Sequence, residues 1–277
     1  MNEEVNKNFI KNIIYKNNNK SLKRKFFEKF KYLNLIFLSL IIYILYFQIH
    51  KTREEIKKDN IKLNYSINLL SENDNEFGHI INKYKRDHIV WPLPKEIKFR
   101  PIMSELELIT FLNFMKPGNI YFEFGSGGST NIASYFKIKT YSVESDVKWH
   151  EKLKINGIIA NYITIDLHST HLGYPGIDTN LENWKKYIQA YKKEYNADII
   201  LIDGRFRVAC ALDIFSKIRN DTLILIHDYK NRKQYHILEK YYIKLKVLDT
   251  LALFIKNTKI DSIQENIYNY YLKQKFI

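Results

Sequence analysis

Five short apolar runs divide the chain between residues 120 and 228. Each run is continuous rather than alternating, which is typical of strands buried on both faces. The segments between the runs are long enough for crossover helices, so the pattern predicts an α/β fold with a mostly parallel, doubly wound sheet. The five runs are Ile120–Phe124, Thr140–Glu144, Tyr162–Asp166, Ile199–Asp203 and Thr222–Asp228.

Two further apolar runs, Val247–Asp249 and Leu251–Lys256, follow the first five. They leave no room for a helix between them, so we expect them to close a seven-stranded sheet in antiparallel fashion. Before the first strand, Ser104 and Glu107 have the spacing of a capping box that starts a helix. Prolines at 92 and 94 break any earlier helix, and the α/β domain is therefore predicted to span residues 88–277.

An uncharged run of 19 residues, from Tyr32 to His50, precedes this domain. Its length and composition predict a transmembrane helix over residues 32–50, with the lipid bilayer as a partner. Residues 1–31 then form a basic tail, and residues 51–87 form a stem. Nine Lys and Arg residues precede the helix and five follow it up to Lys62. This bias favours a cytoplasmic N-terminus and a type II, single-pass protein with its domain in a Golgi or ER lumen; a domain that faces the cytoplasm is the alternative.

Charge and cysteine content limit the possible partners. Residues 1–60 hold 13 Lys and Arg against 6 Asp and Glu, so half of the net charge of +14 lies in this segment. The α/β domain has no cluster of basic and aromatic residues of the kind that binds nucleic acid, which we do not expect as a partner. Cys210 is the one cysteine of the sequence, which excludes an intrachain disulfide and a cysteine-based zinc site.

A glycine-rich string links the first predicted strand to the helix after it. The string is Glu123-Phe124-Gly125-Ser126-Gly127-Gly128-Ser129-Thr130. Glycine lets the backbone turn sharply and approach a ligand closely, and the N–H groups at the start of the helix face that ligand. Glu144 ends the second run, 21 residues after Glu123, which is the separation expected for an acidic residue that binds ribose hydroxyls. Together these features predict a nucleotide-cofactor pocket.

The glycine pattern, Glu-x-Gly-x-Gly-Gly-Ser, resembles motif I of class I S-adenosylmethionine-dependent methyltransferases. The resemblance extends from Met103 to Lys256 and implies a Rossmann-like fold with S-adenosylmethionine as the cofactor. It also implies that Asp166, after the third strand, accepts from the adenine amino group; a role in capping a turn suits Asp166 equally well. The implied cofactor contacts are Glu123, Gly125, Ser126, Gly127, Gly128, Glu144 and Asp166.

Polar residues concentrate after the fourth and fifth runs, in Asp203-Gly204-Arg205-Phe206-Arg207 and His227-Asp228-Tyr229. These strings resemble an uncharacterised branch of the same superfamily. We expect His227 to act as the general base, with Asp203 and Asp228 as catalytic partners. In one alternative, Asp203 and Asp228 bind a divalent cation such as Mg²⁺, although Tyr229 stands where catechol-type enzymes have Asn. In another, His227 is a structural residue that is bonded to Asp203.

Arg205 and Arg207 lie two residues apart, so in an extended loop both would face the acceptor together with Tyr229. Their forked donors suit an anionic acceptor such as a uronic acid or a phosphorylated sugar; pairing with Asp203, Asp228 or Glu239 is equally compatible with the sequence. The sequence thus predicts a membrane-anchored methyltransferase that acts on oxygen of a carbohydrate, a glycoconjugate or another small hydroxyl acceptor. A non-catalytic adaptor that keeps the fold and organises a membrane complex is the alternative.

Overall fold

The computed structural model of the protein describes residues 31–32, 34, 37–55, 57, 78–88, 90–169 and 173–275. The chain divides into two compact units, Met1–Lys62 and Leu63–Ile277. The predicted basic tail lies outside the described residues except for residue 31, and so does the predicted stem except for residues 51–55, 57 and 78–87. The α/β fold lies in the second unit.

The prediction of a transmembrane helix at residues 32–50 is wrong. Residues 37–55 are helical, but the charged residues Lys51, Arg53, Glu54 and Glu55 occupy the end of that helix. A membrane span needs about 20 mostly apolar residues to cross the hydrocarbon layer. Among the residues that the structure describes, no helix combines such length with such apolar character. The predicted single-pass topology is corrected on the same finding, and a lipid bilayer as a partner is not shown.

Seven strands form one sheet in the order β3-β2-β1-β4-β5-β7-β6. The first five pair in parallel, and β7 runs antiparallel to both β5 and β6, as the short gap between the last two runs predicts. Strand β6 begins five residues before the predicted run, at Tyr242. The apolar pattern missed this start because Lys244 and Lys246 interrupt it. Charged residues are common on a strand at the edge of a sheet, such as β6. The strands are β1 Ile120–Phe124, β2 Lys139–Glu144, β3 Asn161–Thr164, β4 Ile199–Ile202, β5 Leu223–Ile226, β6 Tyr242–Leu248 and β7 Leu251–Lys256.

Helices cover both faces of the sheet, and the central strands are buried on both sides. In β4, Ile200 and Ile202 pack into one apolar cluster, whereas Ile199 and Leu201 pack into the other. Side chains alternate between the two faces of a strand, which explains why a continuous apolar run is required here. The helices of this unit are α1 Gly78–Tyr84, α2 Glu105–Phe114, α3 Gly128–Tyr135, α4 Val147–Ile155, α5 Leu181–Ile188, α6 Arg207–Ile214 and α7 Glu265–Leu272.

The core also includes residues that precede the predicted domain start at 88. Ile80 and Tyr84 of α1 are buried in the apolar cluster that α2 and α3 line. Arg219 donates a hydrogen bond to the Tyr84 hydroxyl at 3.0 Å and another to Asp198 at 2.6 Å, just before β4. Helix α1 is therefore attached at the amino-terminal edge of the sheet.

The strand register brings the ends of the central strands level. Phe124, the last residue of β1, lies opposite Val143 and Ile202, and Ile202 lies opposite Ile226. The loops that follow these strands therefore leave the sheet at the same edge. In open α/β sheets this carboxyl edge is where ligands bind.

Candidate active site

The glycine loop after β1 is packed tightly on two sides and open on a third. Gly125 has a φ of +96°, and a Cβ there would lie 2.7 Å from the Cα of Gly204. A Cβ on Gly128 would lie 2.2 Å from the backbone nitrogen of Pro101. At Gly127, by contrast, a Cβ would meet no atom within 4 Å. The loop therefore presents bare backbone to open space at Gly127, which is the shape that a closely approaching ligand requires.

Glu123 lies beneath this loop and is fully buried. Its carboxylate accepts hydrogen bonds from the hydroxyls of Ser129 at 2.6 Å, Tyr121 at 2.8 Å and Ser142 at 2.8 Å, and also from Thr130. Burial raises the pKa of Glu123, and the hydroxyls oppose that rise. Glu123 thus ties β1 to β2 and to the start of α3, and both of its oxygens are engaged by protein groups.

Glu144 is 5% exposed and sits beside the same loop. Its carboxylate accepts from the backbone N–H groups of Ser126 at 3.0 Å, Ser145 at 2.7 Å and Asp146 at 2.9 Å. Burial raises the pKa of Glu144 to about 7 against the effect of these N–H groups. The predicted ribose-binding residue therefore lies against the glycine loop and titrates near neutral pH.

Trp149 is a site residue that sequence reasoning missed. Its indole Nε1 donates to the carbonyl oxygen of Ser126 at 2.8 Å, and its ring packs edge-on against Phe99. Asp146 caps helix α4 by accepting from the backbone N–H of Trp149, which sets the direction of that helix. No sequence motif marks this contact, because it depends on how α4 meets the loop after β1.

Asp166 lies two residues beyond the end of β3, and its side chain is 53% exposed. One of its oxygens accepts from the backbone N–H of His168 at 2.7 Å. This is the turn-capping role that suits a short acidic side chain. Its contact with an adenine amino group stays a prediction.

A buried charge network joins the loops after β4 and β5 to helix α2. His227 Nδ1 lies 3.0 Å from Asp203 Oδ1, and His227 Nε2 lies 3.3 Å from Glu107 Oε2. Burial lowers the pKa of His227, but hydrogen bonds to Asp203 and Glu107 outweigh it and raise that pKa to about 10. At neutral pH the ring is an imidazolium with no lone pair to accept a proton. The predicted general-base role of His227 does not fit this geometry, and the structural alternative does.

Glu107 is the second site residue that the sequence did not reveal as such. It forms the predicted capping box with Ser104, and it also accepts from the backbone N–H of Thr250 at 2.7 Å and from its hydroxyl at 2.6 Å. Burial raises the pKa of Glu107, but hydrogen bonds from His227, Thr250 and Ser104 lower it to about 2. Glu107 thus connects α2, β5 and the turn between β6 and β7.

Arg207 does not face an acceptor as predicted. It is 6% exposed and donates to the carbonyl oxygens of Gly204 at 3.0 Å, Asp203 at 3.0 Å and His227 at 2.6 Å. The loop is not extended, because Phe206 has a φ of +55° and α6 begins at Arg207. Arg207 therefore fastens the loop after β4 to the loop after β5.

The two carboxylates predicted to bind a metal are paired with cations instead. Asp228 Oδ2 lies 3.0 Å from Arg207 and 3.0 Å from Arg232, and Asp203 Oδ1 lies 3.1 Å from Arg207. Burial raises the pKa of Asp228, but the charges of Arg207, His227 and Arg232 lower it overall. Within the described part of the chain, no group of three or more His, Cys, Asp or Glu residues could hold a metal ion. These residues do not fit a Mg²⁺ site.

Tyr229, which the sequence predicts to contact the acceptor together with Arg205 and Arg207, is buried. Its ring packs edge-on against Phe254 in the apolar core, and its hydroxyl donates to Glu239 at 2.6 Å. Burial raises the pKa of Tyr229. Arg205, the other predicted acceptor contact, is half-buried and stacks on the ring of Tyr174 at 3.9 Å.

The charge network predicts a stability that falls as pH rises from 7 to 9. The pKa of His227 is raised in the folded state, so its stabilisation is complete below about pH 6.5 and is lost as pH approaches 10. We expect a slope of up to about 1.4 kcal/mol per pH unit in urea unfolding. His227→Gln removes this slope, while the control His79→Gln, an exposed histidine of α1, keeps it. If the stability of His227→Gln falls with pH as steeply as that of the wild type, the slope does not come from His227, and the ring is not an imidazolium.

Comparisons with known proteins concern the fold. No protein-family model and no curated protein sequence matches the chain. A solved structure of a methyltransferase-like protein from Silicibacter pomeroyi is 24% identical, with a TM-score of 0.56 over 64% of this chain and 97% of that one. The chain has a methyltransferase-like fold. This likeness confirms the fold that the glycine motif implies.

Two further solved structures align less well. The MycE methyltransferase of the mycinamycin pathway, solved with Mg, SAH and mycinamycin VI, is 17% identical, with a TM-score of 0.30 over 55% of this chain and 47% of that one. A TehB-like SAM-dependent methyltransferase from Corynebacterium glutamicum is 13% identical, with a TM-score of 0.35 over 53% of this chain and 85% of that one. Both TM-scores are too low to establish a shared fold.

Proposed function

We propose that the protein is an S-adenosylmethionine-dependent methyltransferase that acts on a hydroxyl oxygen of a carbohydrate or another small acceptor. The observation that carries the proposal is the open face of the glycine loop at Gly127 beside the buried carboxylate of Glu144. Bare backbone next to an acidic strand end is what an adenosine-type cofactor needs. The methyltransferase-like fold gives independent support.

The described residues fit S-adenosylmethionine. Gly127 leaves room that a side chain would fill, and the backbone of Gly125, Ser126 and Gly127 can approach the cofactor closely. Glu144 Oε2 accepts one backbone N–H, so it retains a lone pair for a ribose hydroxyl. When bound, the cofactor supplies an electrophilic methyl group. The chain's own task is to orient this group and to take a proton from the acceptor.

Replacing Glu144 by Ala should weaken binding of S-adenosylmethionine about ten- to hundredfold, because charge-assisted hydrogen bonds to the ribose are lost. Isothermal titration calorimetry measures the affinity. Glu144→Gln, which keeps the shape of the side chain, should lie between Ala and the wild type. The control is Glu151→Ala on the exposed side of α4. Equal affinities of Glu144→Ala and Glu151→Ala would remove Glu144 from the cofactor site.

Asp203 is the side chain we propose as the proton acceptor. It directly follows β4 and adjoins Gly125, and its side chain is 27% exposed. His227 and Arg207 both contact Oδ1 and hold the carboxylate in one position. A hydroxyl oxygen that gains a methyl group becomes an oxonium, which is a strong acid. A carboxylate is therefore basic enough to take the proton from an acceptor hydroxyl whose oxygen would receive the methyl group.

Asp203→Asn should lower methyl transfer by about a hundredfold while S-adenosylmethionine still binds. Formation of S-adenosylhomocysteine is measured with glucose, glucuronate and glucose 6-phosphate as acceptors. Asp198→Asn is the matched control, because Asp198 also pairs with an arginine but lies at the other end of β4. If Asp203→Asn turns over as fast as Asp198→Asn, Asp203 is not the proton acceptor.

A further inference from the structure

Ser126, in the middle of the glycine loop, has each of its polar groups bound by the protein. Its backbone N–H donates to Glu144 Oε2 at 3.0 Å, and its carbonyl oxygen accepts from Trp149 Nε1 at 2.8 Å. Its hydroxyl lies 2.5 Å from that of Ser142. The two peptide units that flank Ser126 are therefore each fixed by a side chain from outside the loop, one from the end of β2 and one from α4.

Trp149 is itself held on several sides. The carboxylate of Asp146 accepts from its backbone N–H at 3.1 Å. Its ring centroid lies 5.7 Å from that of Phe99 in an edge-on contact, and the ammonium nitrogen of Lys152 lies 5.0 Å from the same ring. A cation over an indole face and an aromatic edge against it are both favourable contacts. They keep the indole N–H directed at one acceptor, the carbonyl oxygen of Ser126.

The segment before α2 supports this arrangement from the other side of the loop. A Cβ on Gly128 would lie 2.2 Å from the backbone nitrogen of Pro101, so this segment packs directly on the start of α3. The side-chain amide of Asn131, on α3, hydrogen-bonds to the backbone of Phe99. Phe99 is thus anchored to the helix that the glycine loop begins, and its ring reaches Trp149.

A loop with several glycines has many conformations of similar energy unless other contacts select one of them. A ligand that fits one conformation binds with an affinity reduced by the fraction of time that the loop spends elsewhere. Contacts that fix the loop beforehand therefore raise the affinity without touching the ligand.

We infer that Trp149 is a positioning residue, which holds the Ser126 carbonyl so that the glycine loop keeps its open face at Gly127. It acts through the loop and needs no contact with a ligand. Its effect on the affinity for S-adenosylmethionine rests on the proposed function, whereas its effect on the loop does not.

Hydrogen exchange of the full chain without cofactor, followed by mass spectrometry, tests the effect on the loop. Trp149→Phe keeps an aromatic ring beside Phe99 but removes the N–H donor. Trp184→Phe is the matched control, because Trp184 Nε1 also donates one hydrogen bond, at 3.1 Å to Thr179. Amides in peptides that cover residues 125–130 should exchange about three- to tenfold faster in Trp149→Phe than in Trp184→Phe, while those of β4 stay unchanged.

Calorimetric titration and urea unfolding complete the comparison. The affinity for S-adenosylmethionine should fall about two- to tenfold in Trp149→Phe and stay unchanged in Trp184→Phe. The urea midpoints of the two variants should be similar, because each loses one hydrogen bond. Phe99→Leu keeps the indole N–H but removes its aromatic neighbour, so it should change loop exchange and affinity in the same direction and by less.

The inference is overturned if the loop exchanges as slowly in Trp149→Phe as in Trp184→Phe. It is also overturned if the loop exchanges faster while S-adenosylmethionine binds as it does to the wild type. If Trp149→Phe does not unfold cooperatively, the same comparison between Phe99→Leu and Trp184→Phe decides. A wild type that does not bind S-adenosylmethionine contradicts the proposed function, and the exchange rates then decide alone whether Trp149 holds the loop.

Discussion

Replacing Glu107 by Ala is expected to lower the free energy of unfolding by about 3 to 5 kcal/mol, the range found when one partner of a buried ion pair is removed. The carboxylate binds His227 Nε2 at 3.3 Å, the backbone N–H of Ser104 at 2.8 Å and that of Thr250 at 2.7 Å. Its loss leaves the imidazolium with fewer carboxylates and leaves two N–H groups without this acceptor. Urea unfolding of the full chain measures the change.

Two variants separate charge from helix capping. Glu107→Gln removes the negative charge but keeps one oxygen, which can accept from Ser104 or from Thr250, since these N–H groups bind different oxygens of Glu107. Its loss of stability should therefore be smaller than that of Glu107→Ala. Glu182→Ala also removes an acidic residue from the first turn of a helix, yet Glu182 is exposed and pairs with Lys186 only at 3.7 Å. It should cost no more than about 1 kcal/mol. Equal losses for Glu107→Ala and Glu182→Ala would contradict the buried network.

An alanine at Gly125 is expected to lower stability, whereas an alanine at Gly127 is expected to leave stability almost unchanged and to weaken cofactor binding. At Gly125 the new Cβ would lie 2.7 Å from the backbone of Gly204, at a φ of +96° that side chains rarely adopt. We expect a loss of about 2 to 4 kcal/mol in stability. At Gly127 nothing lies within 4 Å, so stability should stay within about 0.5 kcal/mol of the wild type. The added methyl group should nevertheless lower the affinity for S-adenosylmethionine by at least about tenfold, because it occupies the space of the ligand.

Gly118 provides the matched control for backbone strain. It has the same φ of +96° as Gly125, but a Cβ there would meet no atom within 4 Å. Gly118→Ala should therefore show the cost of the left-handed backbone alone, about 1 kcal/mol. For all three variants, thermal unfolding measures the stability and calorimetric titration measures the affinity for S-adenosylmethionine. A Gly127→Ala protein that is as unstable as Gly125→Ala, or that binds S-adenosylmethionine like the wild type, would contradict the assignment of the open face.

Features that depend on neighbouring residues could be predicted from the sequence. The continuous apolar runs gave the strands, since a strand buried on both faces cannot alternate, and the spacing of Ser104 and Glu107 gave the capping box. The glycine string marked the loop that the structure leaves open at Gly127. The uncharged run at 32–50 led to a wrong prediction of a membrane span. The length of the run does not show where the helix begins and ends, and the helix at 37–55 includes charged residues after position 50.

Roles that depend on distant contacts could not be predicted. His227 has the residue type of a general base, but burial, which lowers its pKa, is outweighed by hydrogen bonds to Asp203 and to Glu107, which is 120 positions away, and the pKa of its ring is raised to about 10. Arg205 and Arg207 look equivalent in sequence, and the left-handed backbone at Phe206 is what gives them different surroundings. Tyr229 follows a polar strand end, yet its ring belongs to the apolar core. The sequence therefore points to strand ends that the structure brings together, but it does not reveal the contacts that these side chains make there.

Calorimetric titration of S-adenosylmethionine into the full-length protein tests the central claim most directly. The claim is that the glycine loop and Glu144 form a cofactor pocket. We expect one molecule to bind per chain with a dissociation constant on the order of micromolar. No binding by protein whose circular dichroism and cooperative unfolding show an intact fold would contradict the claim.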